Sequence, residues 1–115
     1  MREYHHVGVV TDDPQPNEIY VEATKVHVTD PNDHPYRIEY LRFEPDSPVT
    51  GPVRDQPHIA FKVPSLEAEM QGRPVLLGPF EALEGLFVVF VLIDGAVYEF
   101  MEFRGESKFG LKDEG

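Results

Sequence analysis

Apolar and polar positions alternate along much of this chain, which is the period of a half-buried β-strand. In the stretch Pro57-His58-Ile59-Ala60-Phe61-Lys62-Val63, Ile59, Phe61 and Val63 fall on one face and His58, Ala60 and Lys62 on the other. The same phrase occurs near the N-terminus as His6-Val7-Gly8-Val9-Val10, with Val7 and Val9 in register with Ile59 and Phe61. Each copy reads His, aliphatic, small, apolar. A second phrase is also repeated: Ile38-Glu39-Tyr40-Leu41-Arg42-Phe43 matches Tyr98-Glu99-Phe100-Met101-Glu102-Phe103. The order is His phrase, Glu phrase, His phrase, Glu phrase. That describes a duplicated module with one imidazole and one carboxylate in each copy.

Taken in order, the pattern predicts a first strand over 4–10 and a Pro- and Asp-rich break after it. A strand rich in β-branched residues follows over 20–28, then a turn over 30–35, then the strand 36–43 that carries Glu39. Residues 44–55, with three Pro and one Gly, read as a crossover loop. After the strand that opens with His58, Ser65 is an expected N-cap. Leu66 and Met70 share a helical face and Gly72 suits the position beyond the last turn, which predicts a two-turn helix. A short strand over 75–77 ends at the break Gly78-Pro79. The near-continuous apolar run Leu86–Ile93, the hairpin signal Asp94-Gly95 and the strand Ala96–Phe103 complete the module, and the chain beyond Arg104 is polar and expected to fray. His6 and Glu39 are 33 positions apart and His58 and Glu99 are 41. The eight missing positions fall where the second module has its helix, so the first-module helix is expected to be reduced or absent.

At 115 residues the chain is expected to form a single domain, 1–115. Module one spans about 4–45, the crossover loop about 46–56, module two about 57–103 and the tail 104–115. Eight Phe and five Tyr favour a packed core over disorder. The absence of Cys excludes a disulfide framework, a thiolate metal site and a cysteine nucleophile. No apolar run approaches the roughly 20 residues that span a bilayer, and no signal-peptide pattern opens the chain. A cytoplasmic protein with no membrane partner is expected. The net charge of −11 argues against nucleic acid as a partner, because that class needs a basic face.

Strand geometry turns His6 away from Val7 and Val9, and His58 away from Ile59 and Phe61, so both imidazoles can point into the concave side of a sheet. Glu39 shares its face with Leu41 and Phe43, and Glu99 with Met101 and Phe103. A carboxylate on an apolar face needs a partner, since burying it unpaired is costly. Two neutral imidazoles and two carboxylates converging suit one divalent ion of the Mn, Fe, Co, Ni or Zn type. The bland alternative is a hydrogen-bonded His or a solvated Glu on each strand, and the matched placement in two modules argues against it. His5, His27 and His34 have no such counterpart and are expected at the surface. Glu102 lies on the opposite face from Glu99 and is the weaker ligand candidate.

The opening strands HVGVV and HIAFKV and the closing strands IEYLRF and YEFMEF resemble the vicinal oxygen chelate superfamily. It includes glyoxalase I, methylmalonyl-CoA epimerase, extradiol dioxygenases and the bleomycin-resistance proteins. The resemblance covers nearly the whole chain and implies an α+β fold of two β-α-β-β-β modules forming a curved, cup-like mixed sheet. It implies that His6 and His58 are the strand-opening metal ligands and Glu99 the C-terminal ligand. Glu39 matches the fourth ligand of the His/Glu/His/Glu set of glyoxalase I, where the epimerases usually have Gln. The expectation is a metal-dependent lyase or isomerase whose small-molecule substrate offers two adjacent oxygens and reacts through an enediolate, with Glu39 or Glu99 moving the proton. A drug-sequestering binding protein of the same fold and an Fe(II) dioxygenase using His6, His58 and Glu99 are the alternatives. Tyr40, Phe61 and Phe90 are candidates to line either kind of pocket. A homodimer is expected from the exposed sheet edges and from the resemblance.

Overall fold

The computed structural model describes residues 1–104, so the expected frayed tail lies almost wholly outside the described residues. All eight strands join one mixed sheet that curves into a cup, in the order β2-β3-β4-β1-β5-β8-β7-β6. The strands are β1 (Glu3–Val10), β2 (Ile19–Val21), β3 (Val26–Val28), β4 (Ile38–Phe43), β5 (His58–Lys62), β6 (Val75–Leu83), β7 (Leu86–Ile93) and β8 (Ala96–Phe103). Two short helices accompany them, α1 (Pro52–Asp55) and α2 (Leu66–Met70). No helix among the described residues is long and apolar enough to cross a membrane.

The two halves meet where β1 and β5 run antiparallel side by side, with Val7 opposite Ile59 at the crossing. Each of these strands then pairs in parallel with the last strand of its own half, β1 with β4 and β5 with β8. The second half runs strand, helix, three strands, as its pattern predicts. Ser65 caps α2, its hydroxyl accepting a hydrogen bond from the Ala68 N–H at 3.2 Å. The first half has only irregular chain between β1 and β2, so its helix is absent there.

β7 is apolar throughout because both its faces are covered. Val89 and Val91 pack with Phe100, Val63 and Leu66 in the layer that includes α2, whereas Val88, Phe90 and Met101 belong to the core inside the cup.

Three sequence expectations need correction. The stretch 20–28 is not one strand: β2 and β3 form a hairpin, turned by a single 3-10 turn at Glu22–Thr24 with Lys25 at φ +49°. The composition reads as extended because no Gly, Asn or Pro marks the corner, and Lys25 takes the left-handed position instead. The crossover loop contains α1, one turn starting on Pro52. The Gly78-Pro79 pair does not end a strand. β6 continues through it to Leu83, and the irregularity is absorbed as a shift of register against β7 between Leu77 and Phe80. An edge strand tolerates this, because Pro lacks an N–H that only an inner strand would need.

Candidate metal centre

The repeated phrases become a pseudo-symmetric site through strand register. Glu39 lies beside Gly8, two residues after His6, and Glu99 lies beside Ala60, two residues after His58. Across the β1–β5 crossing His6 faces Ala60 and Gly8 faces His58. Each module thus sets its imidazole and its carboxylate on the same inner face, and the crossing brings the two pairs together.

The small residues are needed for this approach. A Cβ on Gly8 would stand 2.0 Å from His58 Cε1, so the ring occupies the space a side chain would take.

All four residues are buried: His6 and His58 are 1% exposed, Glu39 5% and Glu99 7%. One ligand atom from each lies within 4.8 Å of every other. His6 Nε2 is 3.3 Å from both Glu39 Oε1 and Glu99 Oε1. His58 Nε2 is 3.1 Å from Glu99 Oε1 and 3.7 Å from Glu39 Oε1. Yet His6 Nε2 and both ring nitrogens of His58 have no hydrogen-bond partner among the described residues. Close approach without hydrogen-bond alignment is what donor atoms do when they aim at a common point. Bonds of about 2.0–2.2 Å to one ion place neighbouring donors roughly 3.0–3.6 Å apart. The contacts at 3.1 and 3.3 Å fall in that range, and the Glu39–His58 contact at 3.7 Å is slightly longer. The set of two imidazoles and two carboxylates suits a first-row divalent ion, and the two negative charges balance its two positive ones.

Metal-free, the same groups shift one another. Burial disfavours the charged form of His6, but the Glu39 and Glu99 carboxylates outweigh it and raise its pKa to about 10. Burial also opposes ionisation of Glu99, and its contacts with His58 and His6 hold it well below the usual carboxylate range.

One residue beside the cluster escapes the alternation rule. His5 is buried, contrary to the expectation of a surface residue, and its Nδ1 lies 2.7 Å from His6 Nδ1. The cause is a bulge: Tyr4 pairs with Phe61 and His6 with Ala60, so His5 is an extra residue against β5. Burial, and then the neighbouring His6, lower the His5 pKa to about 3, so its ring is neutral. A neutral His5 accepting at Nδ1 holds a proton on His6 Nδ1, so the proton that leaves when His6 becomes neutral comes from Nε2, the nitrogen that faces the site. The only sequence signal was the His5-His6 doublet, and nothing local shows the bulge.

The remaining candidates lie elsewhere. His27 is half-buried and bonds Glu44, and His34 accepts from the Tyr36 N–H. Glu102 serves α2, accepting from the Leu66 N–H at 2.9 Å. Of the three aromatic candidates only Phe90 lines the cup, its ring meeting that of His58 edge-on at 5.2 Å. Phe61 packs with the α2 layer and Tyr40 lines a separate surface depression with Asp30 and His34.

The cup above the site is walled by residues such as Val26, Leu41, Val88 and Met101, with Glu39 and Glu99 at its floor. It is open at its mouth, and its empty space counted with that mouth amounts to about 540 Å³.

No family model matches the chain, and no curated protein does. Among solved structures, the crystal structure of a hypothetical protein, BH1468 from Bacillus halodurans C-125, is similar in fold. The TM-score is 0.64 at 17% identity, covering 93% of this chain and 98% of the other.

Proposed function

We propose that this protein is a metal-dependent enzyme of the lyase or isomerase kind, acting on a small substrate with two adjacent oxygens. The observation that carries the reading is the convergence of two unpartnered imidazole Nε2 atoms and two carboxylates at the floor of an apolar cup. A divalent ion held by His6, Glu39, His58 and Glu99 would supply Lewis-acid stabilisation of the enediolate charge left when a proton departs.

The chain's own groups divide the remaining work. The imidazole side chains are 0–1% exposed, whereas those of Glu39 and Glu99 are 7% and 10% exposed, so the carboxylates are the groups that reach the cup. Glu99 is held closely by both imidazoles, at 3.1 and 3.3 Å, while Glu39 makes the longest of the four contacts, 3.7 Å to His58. Glu39 is therefore the freer carboxylate and the better proton acceptor. The apolar wall keeps bulk water away from the proton transfer.

Two measurements test this. Protein purified without affinity tag or chelator should contain about one divalent ion per chain. Glu39→Gln should keep the ion while proton–deuterium exchange falls by orders of magnitude, measured on hemithioacetals, acyl-CoA thioesters and α-hydroxy ketones. Equal exchange in wild type and variant would remove Glu39 as the base and leave Glu99. The apolar wall also suits a second reading, a small-molecule binding protein without catalysis. No exchange on any substrate, with tight binding of an aromatic ligand by metal-free protein, would establish that reading instead.

A further inference from the structure

Resting on the metal-site reading, we propose that the cup selects an uncharged, largely apolar ligand whose only polar end is the oxygen pair that reaches the floor. Among the described residues lining the cup, Glu39 and Glu99 are the only charged groups and Thr24 the only other polar side chain. Among the described residues no Lys, Arg, His, Asn or Gln contributes to that wall. Arg54 stacks on Phe43 of the wall, 5.4 Å from the ring centroid, but its N–H groups donate to the carbonyls of Glu44, Ser47 and Val49.

An anionic group entering the cup would lose its hydration, find no side-chain donor beyond the Thr24 hydroxyl and face two carboxylates. With a divalent ion bound, the floor is neutral in sum, so it offers no compensating attraction to an anion or to a cation. An ion moved from water into such a wall without a partner is strongly disfavoured. An aryl or alkyl group loses nothing there and gains by leaving water. The chemical class that fits is a small α-hydroxy ketone or α-dicarbonyl with a hydrocarbon body. A substrate that must place a carboxylate, phosphate or ammonium inside the cup does not fit.

The test uses 2-hydroxyacetophenone and its para-carboxylate and para-aminomethyl analogues. Each is titrated calorimetrically into the full chain, loaded with Zn(II) and metal-free, after the metal content has been measured. The neutral compound should bind the loaded protein at least tenfold more tightly than either charged analogue. Phe80→Lys, at a half-buried wall position, should narrow the gap for the carboxylate. Equal or tighter binding of a charged analogue by loaded wild type, or no binding of any of the three at millimolar concentration, would overturn the proposal while leaving the metal site standing. A neutral preference in protein that holds no ion would support the selectivity of the cup and sink the metal site instead.

Discussion

Replacing Gly8 by Ala isolates the geometry of the site with a single methyl group. The new Cβ would stand 2.0, 2.4 and 2.6 Å from His58 Cε1, Nε2 and Nδ1. Ordinary carbon contacts are about 3.5–4.0 Å, so the ring must retreat by roughly 1.5 Å. The tolerance on a metal bond is about ±0.2 Å, so His58 ceases to be a donor. Misplacing even an outer partner costs roughly 10–100-fold in affinity, so the loss here should be at least about 100-fold. With free ion at a thousandfold excess over the wild-type Kd, binding stabilises the wild type by about 4 kcal/mol. A hundredfold weaker site would gain only about 1.4 kcal/mol. That difference corresponds to about 10 °C in Tm for a domain of this size. The assay is differential scanning fluorimetry of both proteins, each with and without Zn(II) or Ni(II). Overpacking also costs the metal-free variant about 1–3 kcal/mol, so the quantity that counts is the gain on adding metal. An undiminished gain in Gly8→Ala would refute the placement of His58 as a ligand.

His5→Phe should weaken metal binding by about 10–100-fold, and His5→Asn, which can present an oxygen near the former Nδ1, should restore part of it. Equal dissociation constants for all three proteins by calorimetry would remove His5 from any role at the site. Metal uptake at pH 8 should release about one proton, because the metal-free pKa of His6 is raised from 6.5 to about 10 and the ion requires the neutral ring. The same shift stabilises metal-free protein fully below about pH 6.5, and this contribution disappears as pH rises through about 10. Calorimetry in two buffers of different ionisation enthalpy reads the proton count, and a count of zero would contradict it. β2 and β6 are the edge strands of the sheet among the described residues, and light scattering at micromolar concentration should report a homodimer rather than a monomer.

The four ligand candidates were legible in the sequence because side-chain direction in a strand is a local property. Once His6, His58, Glu39 and Glu99 sat on period-two strands, their faces followed from parity alone. Repetition then marked them as a set. The β7 run, the Asp94-Gly95 turn and the Ser65 cap were legible for the same reason, since each depends on a few consecutive residues. What the tertiary structure decided depends on contacts between distant strands. The β1–β5 crossing sets Gly8 against His58 and His6 against Ala60, and neither strand alone specifies that register. The bulge that turns His5 inward exists only relative to β5, so alternation counted along β1 places that ring on the wrong side. The cup wall joins β2, β3, β4, β6, β7 and β8 with Val49 and Val53 from the crossover, residues that share no periodicity. Its lack of cations, which carries the ligand selectivity proposed above, becomes visible only when those side chains enclose one space. A local pattern can show which way a residue points, but what it meets there depends on the whole fold.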